Sequence, residues 1–265
     1  MARRVAHTRA HTTVLSDAFL QQLEQRHLAN LTFSEVSRAL RALSSAYVER
    51  RESALADHKA LDGAGKRAAF ALYYGPLHFL LVQHVVRKLG IALQPGVVVD
   101  LGCGTGVAGA AVAASATPPL DVVGFDTHPW TLDEARFTYR ALGLHADVRR
   151  ARAGPVRLPK HTSIVVAAFV VNELTDKDRE ALLASLLRLT AGDGGSDSAG
   201  SRVLIVEPIS HRISPWWDQW AAEFIERGGR ADQWKARVDL PPLVWRLARA
   251  SGLRPDVLTA RSLFV

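Results

Sequence analysis

The run Val97-Val98-Val99-Asp100-Leu101-Gly102-Cys103-Gly104-Thr105-Gly106 constrains the fold of this chain more than any other segment. Its apolar, β-branched start reads as a buried strand. The glycines after it let the backbone turn sharply and let a ligand approach where a Cβ would clash. An Ala-rich helix follows. Twenty residues past Gly106, a second strand over Asp121 to Phe125 delivers Asp126, placed to accept hydrogen bonds from both hydroxyls of a ribose. Loop and acid together define an adenosine site. Its candidate contacts are Asp100, Gly102, Cys103, Gly104, Thr105, Gly106, Asp126 and the adjoining Thr127, with Phe169 at the end of a later strand.

Gly104-Thr105-Gly106-Val107-Ala108-Gly109 also satisfies the dinucleotide fingerprint, so a nicotinamide enzyme has to be weighed. Asp100 argues against it. A carboxylate at the strand end repels a dinucleotide phosphate, whereas it attracts the sulfonium and ammonium groups of S-adenosylmethionine. The expected cofactor is therefore S-adenosylmethionine.

From Val97 onward, short β-branched runs alternate with longer amphipathic segments: 97–101, 121–125, 146–150, 163–169 and 202–206 read as strands. Leu132 to Leu142 and Asp178 to Leu189 read as crossover helices, the second entered through a capping-box-like Thr175 and Asp178. Two more helices are expected around 215–226 and 241–250, then one strand or a tight hairpin over 257–265. Residues 192–201, almost all Gly, Ser, Asp and Ala, read as a surface loop. Before residue 90 the spacing is helical, as in Val36, Leu40, Leu43 and Tyr47 and in Leu77, Leu81, Val85 and Leu89, with an interruption or restart expected at Gly75-Pro76. The expected fold is α/β, a Rossmann-like sheet over residues 91–265 with a helical N-terminal extension over residues 1–90.

Charge follows the same division. Residues 1–90 hold 13 Lys and Arg against 7 Asp and Glu, a net of +6, while residues 91–265 hold 20 against 19. Such a concentration is the footprint of a polyanion-binding face, RNA above all, or else of solvated helix surfaces. The single cysteine, Cys103, excludes an intramolecular disulfide and any metal site built from several thiolates, and no metal ligand set is expected. No apolar run reaches about 20 residues and the polar start lacks a signal-peptide core, so the expected address is the cytoplasm, without membrane contact.

The motif VVVDLGCGTG resembles motif I of class I S-adenosylmethionine-dependent methyltransferases, and Gly124-Phe125-Asp126 resembles their ribose-binding strand end. Val170-Val171-Asn172-Glu173-Leu174, Val206-Glu207-Pro208 and Tyr73-Tyr74-Gly75-Pro76 resemble, over roughly residues 68–210, the methyltransferase-like assembly proteins of the mitochondrial small ribosomal subunit and their bacterial relatives. The resemblance implies an rRNA or small-subunit substrate. Mitochondrial members are cysteine-rich and bind a metal cluster, which one cysteine cannot do. Many relatives of the wider class place an acid after strand three to hold adenine. Here that loop reads Arg149-Arg150-Ala151-Arg152-Ala153-Gly154, which leaves adenine to backbone amides and apolar contact, and Asp147 reads as a surface or capping residue.

After strand four this chain lacks the Pro-Pro-aromatic motif of amino-methylating enzymes. Asn172 and Glu173 are the catalytic candidates, an amide to hold a target amine and a carboxylate to take its proton, with a loop anchor as the alternative role. Arg149, Arg150, Arg152, Arg157 and Lys160 are suited to substrate phosphate or to plain solvation. Pro215-Trp216-Trp217-Asp218-Gln219-Trp220 suits burial in the core or, alternatively, a base-stacking platform. Three functions follow: an RNA methyltransferase, a cofactor-binding ribosome assembly factor without turnover, or a small-molecule methyltransferase.

Overall fold

The computed structural model describes residues 15–49, 61–153, 158–190, 201–209, 214–255 and 257–265. Residues 192–200, Gly154 and Arg157, singled out above, lie outside them. The β-branched runs form β1 (Val97–Leu101), β2 (Asp121–Asp126), β3 (Ala146–Arg150), β4 (Thr162–Ala168) and β5 (Arg202–Glu207). Two further strands, β6 (Arg230–Ala236) and β7 (Leu258–Phe264), complete one sheet in the order β3-β2-β1-β4-β5-β7-β6. The first five strands are parallel, and β7 runs antiparallel to both β5 and β6. The C-terminal segment is thus one strand and not a hairpin. Its edge partner β6 has no counterpart in the sequence reading.

Parallel neighbours need crossovers. Helices α5 (Val107–Ala113), α6 (Pro129–Ala141) and α7 (Asp176–Thr190) fill these links, while α8 (Trp217–Glu226) leads from β5 to β6 and α9 (Pro242–Ala250) from β6 to β7. The period of two divides the strand residues between two apolar layers. Val98, Ile164, Val166, Leu204 and Val206 join the layer under α5, α6 and α9, while Val99, Leu101, Val165, Ala167, Val203 and Ile205 face α7 and α8. Trp216, Trp217 and Trp220 are buried in the second layer, so they serve as core and not as an exposed stacking platform. Thr175 caps α7 as expected: its hydroxyl accepts from the Asp178 N–H at 3.2 Å and lies 2.9 Å from the Asp178 carboxylate.

The N-terminal helices α1 (Asp17–His27), α2 (Phe33–Glu49), α3 (Ala64–Ala69) and α4 (Gly75–Leu89) bury Phe19, Val36, Leu40, Leu43, Leu81 and Val85 in the first layer, beside residues of the sheet. Gly75-Pro76 does not break the helix. A π-helical segment, Phe70–Tyr74, joins α3 to α4, and the Gly75 N–H reaches back to the Phe70 carbonyl. Widening by one residue accommodates a proline that has no N–H to give. The result is a continuous helix of 26 residues, Ala64–Leu89, apolar and long enough to span a bilayer by composition, whereas the sequence reading split this run in two. Its most apolar window is 78% buried against the rest of the protein, as befits a core helix.

Candidate active site

The glycine loop leaves the C-terminal end of β1 with Gly102, Gly104 and Gly106 all in the left-handed region, at φ of 66°, 53° and 79°. Two of these glycines also answer to close contacts. A Cβ at Gly102 would lie 2.2 Å from the Val170 side chain, and one at Gly106 would lie 3.0 Å from Ala135 and from the Tyr139 ring. Above Gly104 there is open space. The loop is thereby pressed against the segment after β4 on one side and against α6 on the other, with its middle free to meet a ligand.

Asp100 lies beneath this loop. Period-two alternation puts it on the same face as Val98, under α5, where it is 1% exposed. One carboxylate oxygen accepts from the Gly109 N–H at 2.8 Å and from the Tyr139 hydroxyl at 3.2 Å. Burial pushes its pKa up to about 7, against the pull of those two donors and with a smaller push from Asp126. Its charge therefore does not stand at the open surface of the loop, where the sequence reading put it to face a sulfonium. Asp100 fixes the start of α5 under the loop. Cys103 is likewise turned inward: it is buried, and a Cβ at Gly124 would lie 3.1 Å from its sulfur, so the loop offers its backbone there and not its thiol.

Asp126 ends β2 at the rim. Its Oδ2 accepts from the Gly104 N–H at 2.9 Å and its Oδ1 from the His128 N–H at 2.9 Å. The Thr131 hydroxyl lies 2.8 Å from both Oδ1 and the His128 carbonyl. A carboxylate has about four lone-pair directions, so room remains on Oδ2 for a ribose hydroxyl. Thr127, the next residue, is exposed. Thr105 Oγ1 in the loop is buried and has no hydrogen-bond partner among the described residues. Left-handed glycines, open space over Gly104, an unpaired loop hydroxyl and a strand-end acid fit the adenosine and amino-acid parts of S-adenosylmethionine. Asp147 pairs with Arg149 at 2.7 Å on the exposed surface of β3, away from this loop.

Sequence reasoning missed the wall formed by the π-helical segment. A Cβ at Gly75 would be in ordinary contact with Thr105 and Val107, at 3.8 and 3.7 Å, so this backbone lies against the loop. Phe70 and Tyr74 stand near His78, and His78 stacks on Phe169 with ring centroids 4.0 Å apart. Burial holds the His78 pKa down at about 4, so the ring is neutral at pH 7. Phe169 itself has φ of 61°, a conformation that costs a non-glycine residue about 1–3 kcal/mol and persists only where its surroundings impose it. The signal in the sequence is Tyr73-Tyr74-Gly75-Pro76, which carries a family resemblance and a Gly-Pro pair but nothing that sets it beside the cofactor loop.

What imposes that turn is a buried network after β4. Glu207, at the end of β5 and fully buried, accepts from the Val171 N–H at 2.8 Å and from the Asn172 amide at 2.6 Å. The Asn172 carbonyl accepts from the Trp216 indole at 2.9 Å. Both ends of Asn172 are thus committed to the protein, as the loop-anchor alternative expects. Glu173, on the same short 3-10 turn, is exposed. Burial lifts the Glu207 pKa to about 8, opposed first by the Val171 N–H.

With this geometry in view, comparison with known proteins is informative. The sequence matches the family described as "Methyltransferase domain" over residues 98–194, the span from β1 through α7 and just beyond. Over this span the chain is similar to a methyltransferase domain. S-adenosylmethionine is its cofactor, and the sheet order with an antiparallel β7 is the class I methyltransferase fold. No curated protein matches the sequence. A Nostoc punctiforme protein described as an O-methyltransferase has the same fold, with a TM-score of 0.52 at 13% identity over 97% of this chain and 74% of that one. An S-adenosylmethionine-dependent methyltransferase from Aquifex aeolicus aligns over 71% of this chain and 90% of that one, with 15% identity and a TM-score of 0.45.

Proposed function

We propose that this methyltransferase acts on RNA of the small ribosomal subunit. The observation that carries the reading is the net charge of +6 in the sequence of residues 1–90, of which Lys66 and Arg67 lie on α3, the helix that runs on through the π-helical segment to Gly75 beside the glycine loop. RNA held there lies close to the transferable methyl group. The resemblance of Val170 to Leu174 and of Val206 to Pro208 to ribosome-assembly methyltransferase-like proteins supports the same substrate.

When bound, the cofactor supplies an electrophilic methyl group for direct transfer to a nucleophilic atom. In this proposal Asp126 holds the ribose and the glycine loop takes the amino-acid end, with Thr105 as a hydroxyl partner. The stacked His78 and Phe169 exclude water from the side of the acceptor. Glu173 takes the proton that the acceptor releases, and Asn172 and Glu207 keep the turn between Phe169 and Glu173 in place. Incubating the purified protein with methyl-labelled cofactor and, separately, 30S particles, naked rRNA and a metabolite extract tests the substrate. Label in rRNA or 30S particles is expected. The aromatic wall of Phe70, Tyr74, His78 and Phe169 favours a second reading, a small planar acceptor. Label confined to the metabolite extract would establish that reading instead.

A further inference from the structure

The C-terminal helix α9 carries its apolar residues inward, with Leu243, Val244, Leu247 and Ala248 buried. Its outer side presents Trp245, 50% exposed, with Arg246 and Arg249. This side is joined to α2. The Ser251 hydroxyl donates to the Ser37 carbonyl at 3.0 Å, and the Arg41 guanidinium donates to the Ala250 carbonyl at 3.0 Å. Each α9 arginine stands over an aromatic ring: Arg246 over Phe33 of α2 at 4.9 Å, and Arg249 over Trp245 at 5.5 Å. Cation–π contact of this kind holds a guanidinium in place while its donors stay free for another partner. Residues 242–255 contain no acid, and the nearby Glu35 of α2 is occupied by the N–H and hydroxyl of Thr32.

We propose that α9 and α2 together form an RNA-docking face, in which Trp245 stacks an unpaired base and Arg41, Arg246 and Arg249 meet the flanking phosphates. The proposal rests on the RNA reading above and extends it to residues far from the basic N-terminal third in sequence. Aromatic stacking between cations is how proteins hold single-stranded nucleic acid. A bilayer surface fits less well, because Trp245 is the one large apolar side chain that α9 exposes, and interfacial helices bury a broad apolar face. Helix α9 also packs against the π-helical segment that walls the cofactor loop.

The test is binding of a fluorescently labelled single-stranded RNA to the full chain across a salt series, with vesicles of phosphatidylserine and phosphatidylcholine in parallel. Arg246→Gln with Arg249→Gln should make the log–log salt dependence shallower by about 1.4, the value for two lost phosphate contacts to a single strand. Trp245→Ala should weaken binding on the order of tenfold. Calorimetric binding of S-adenosylmethionine should be unchanged in both variants, which shows that they are folded. RNA affinity and salt slope unchanged in both variants would overturn this face while leaving the RNA reading intact. No RNA binding by the wild type would remove both. Binding to vesicles but not to RNA would make the face a membrane contact.

Discussion

Asp126 ties the two halves of the cofactor site together, because the oxygen that receives the Gly104 N–H also has room for a ribose hydroxyl. Asp126→Ala leaves the N–H groups of Gly104 and His128 without their acceptor, a loss of roughly 1–3 kcal/mol of stability. It should also weaken S-adenosylmethionine at least tenfold, since a charged hydrogen-bond acceptor contributes about 1.5–3 kcal/mol. Calorimetry and thermal melts on one preparation check both, and wild-type cofactor affinity in this variant would refute the ribose role. Asn172→Ala should behave differently. It strips a partner from buried Glu207 and from the Trp216 indole, so the melting temperature should fall by a few degrees, with cofactor affinity nearly unchanged and turnover lowered only in proportion. Abolished turnover at an unchanged melting temperature would restore Asn172 to the chemistry. The cofactor residues were legible because glycine and acid at fixed spacing carry their own mechanical reason. The Asn172 network was not, since Glu207 and Trp216 lie 35 and 44 residues away and meet it only once β5 and α8 are in place.

At the scale of elements, strands with strong β-branched character were read within a residue or so of their observed ends, whereas β6 was invisible. Its sequence, Arg-Ala-Asp-Gln-Trp-Lys-Ala, is polar because it is an edge strand, and most of its residues are exposed or half-buried. Only pairing with β7 makes it a strand. The π-helical segment was equally hidden, because proline in a helical pattern reads as a stop unless the hydrogen-bond register is known to widen. Contacts between elements also carry stability that no local pattern announces. Glu134 of α6 is fully buried and accepts from Arg26 at 3.0 Å, with His27 at 2.7 Å, both at the end of α1. Burial pushes its carboxyl up, but His27 and Arg26 bring it to a net position below the usual range. Glu134→Ala should leave α1 poorly docked and cost about 1.5–3 kcal/mol, the range for hydrogen bonds to a charged group. For a chain of this size that is a melting temperature lower by roughly 3–12 °C. A variant melting within a degree of wild type would mean that α1 is held by its apolar face alone.

For the whole molecule, pH acts through carboxylates buried on opposite faces of one sheet, Asp100 under α5 and Glu207 beside α8. Both have folded pKa values above their ordinary ones, about 7 against 3.8 and about 8 against 4.5. A carboxyl group of this kind binds its proton more tightly in the folded state, so its contribution to stability is present at low pH and is lost as pH rises through the folded value. The imidazoles oppose this on the acid side. His78, lowered by burial to about 4, costs stability as pH falls below its ordinary 6.5, and His84 acts in the same direction. Above about pH 6.5 the histidines fall silent and the two carboxylates act alone. The melting temperature should therefore decline by a few degrees between about pH 6.5 and 8.5. Replacing one carboxyl at a time divides that decline. Asp100→Asn should flatten the part of the decline that ends near pH 7, and Glu207→Gln the part that runs on to about pH 8, because each carboxyl loses stability as pH rises toward its folded value and an amide has no proton to lose. Thermal melts of wild type and both variants across this range decide the matter: parallel curves for all three would mean that neither carboxyl is held protonated in the folded protein.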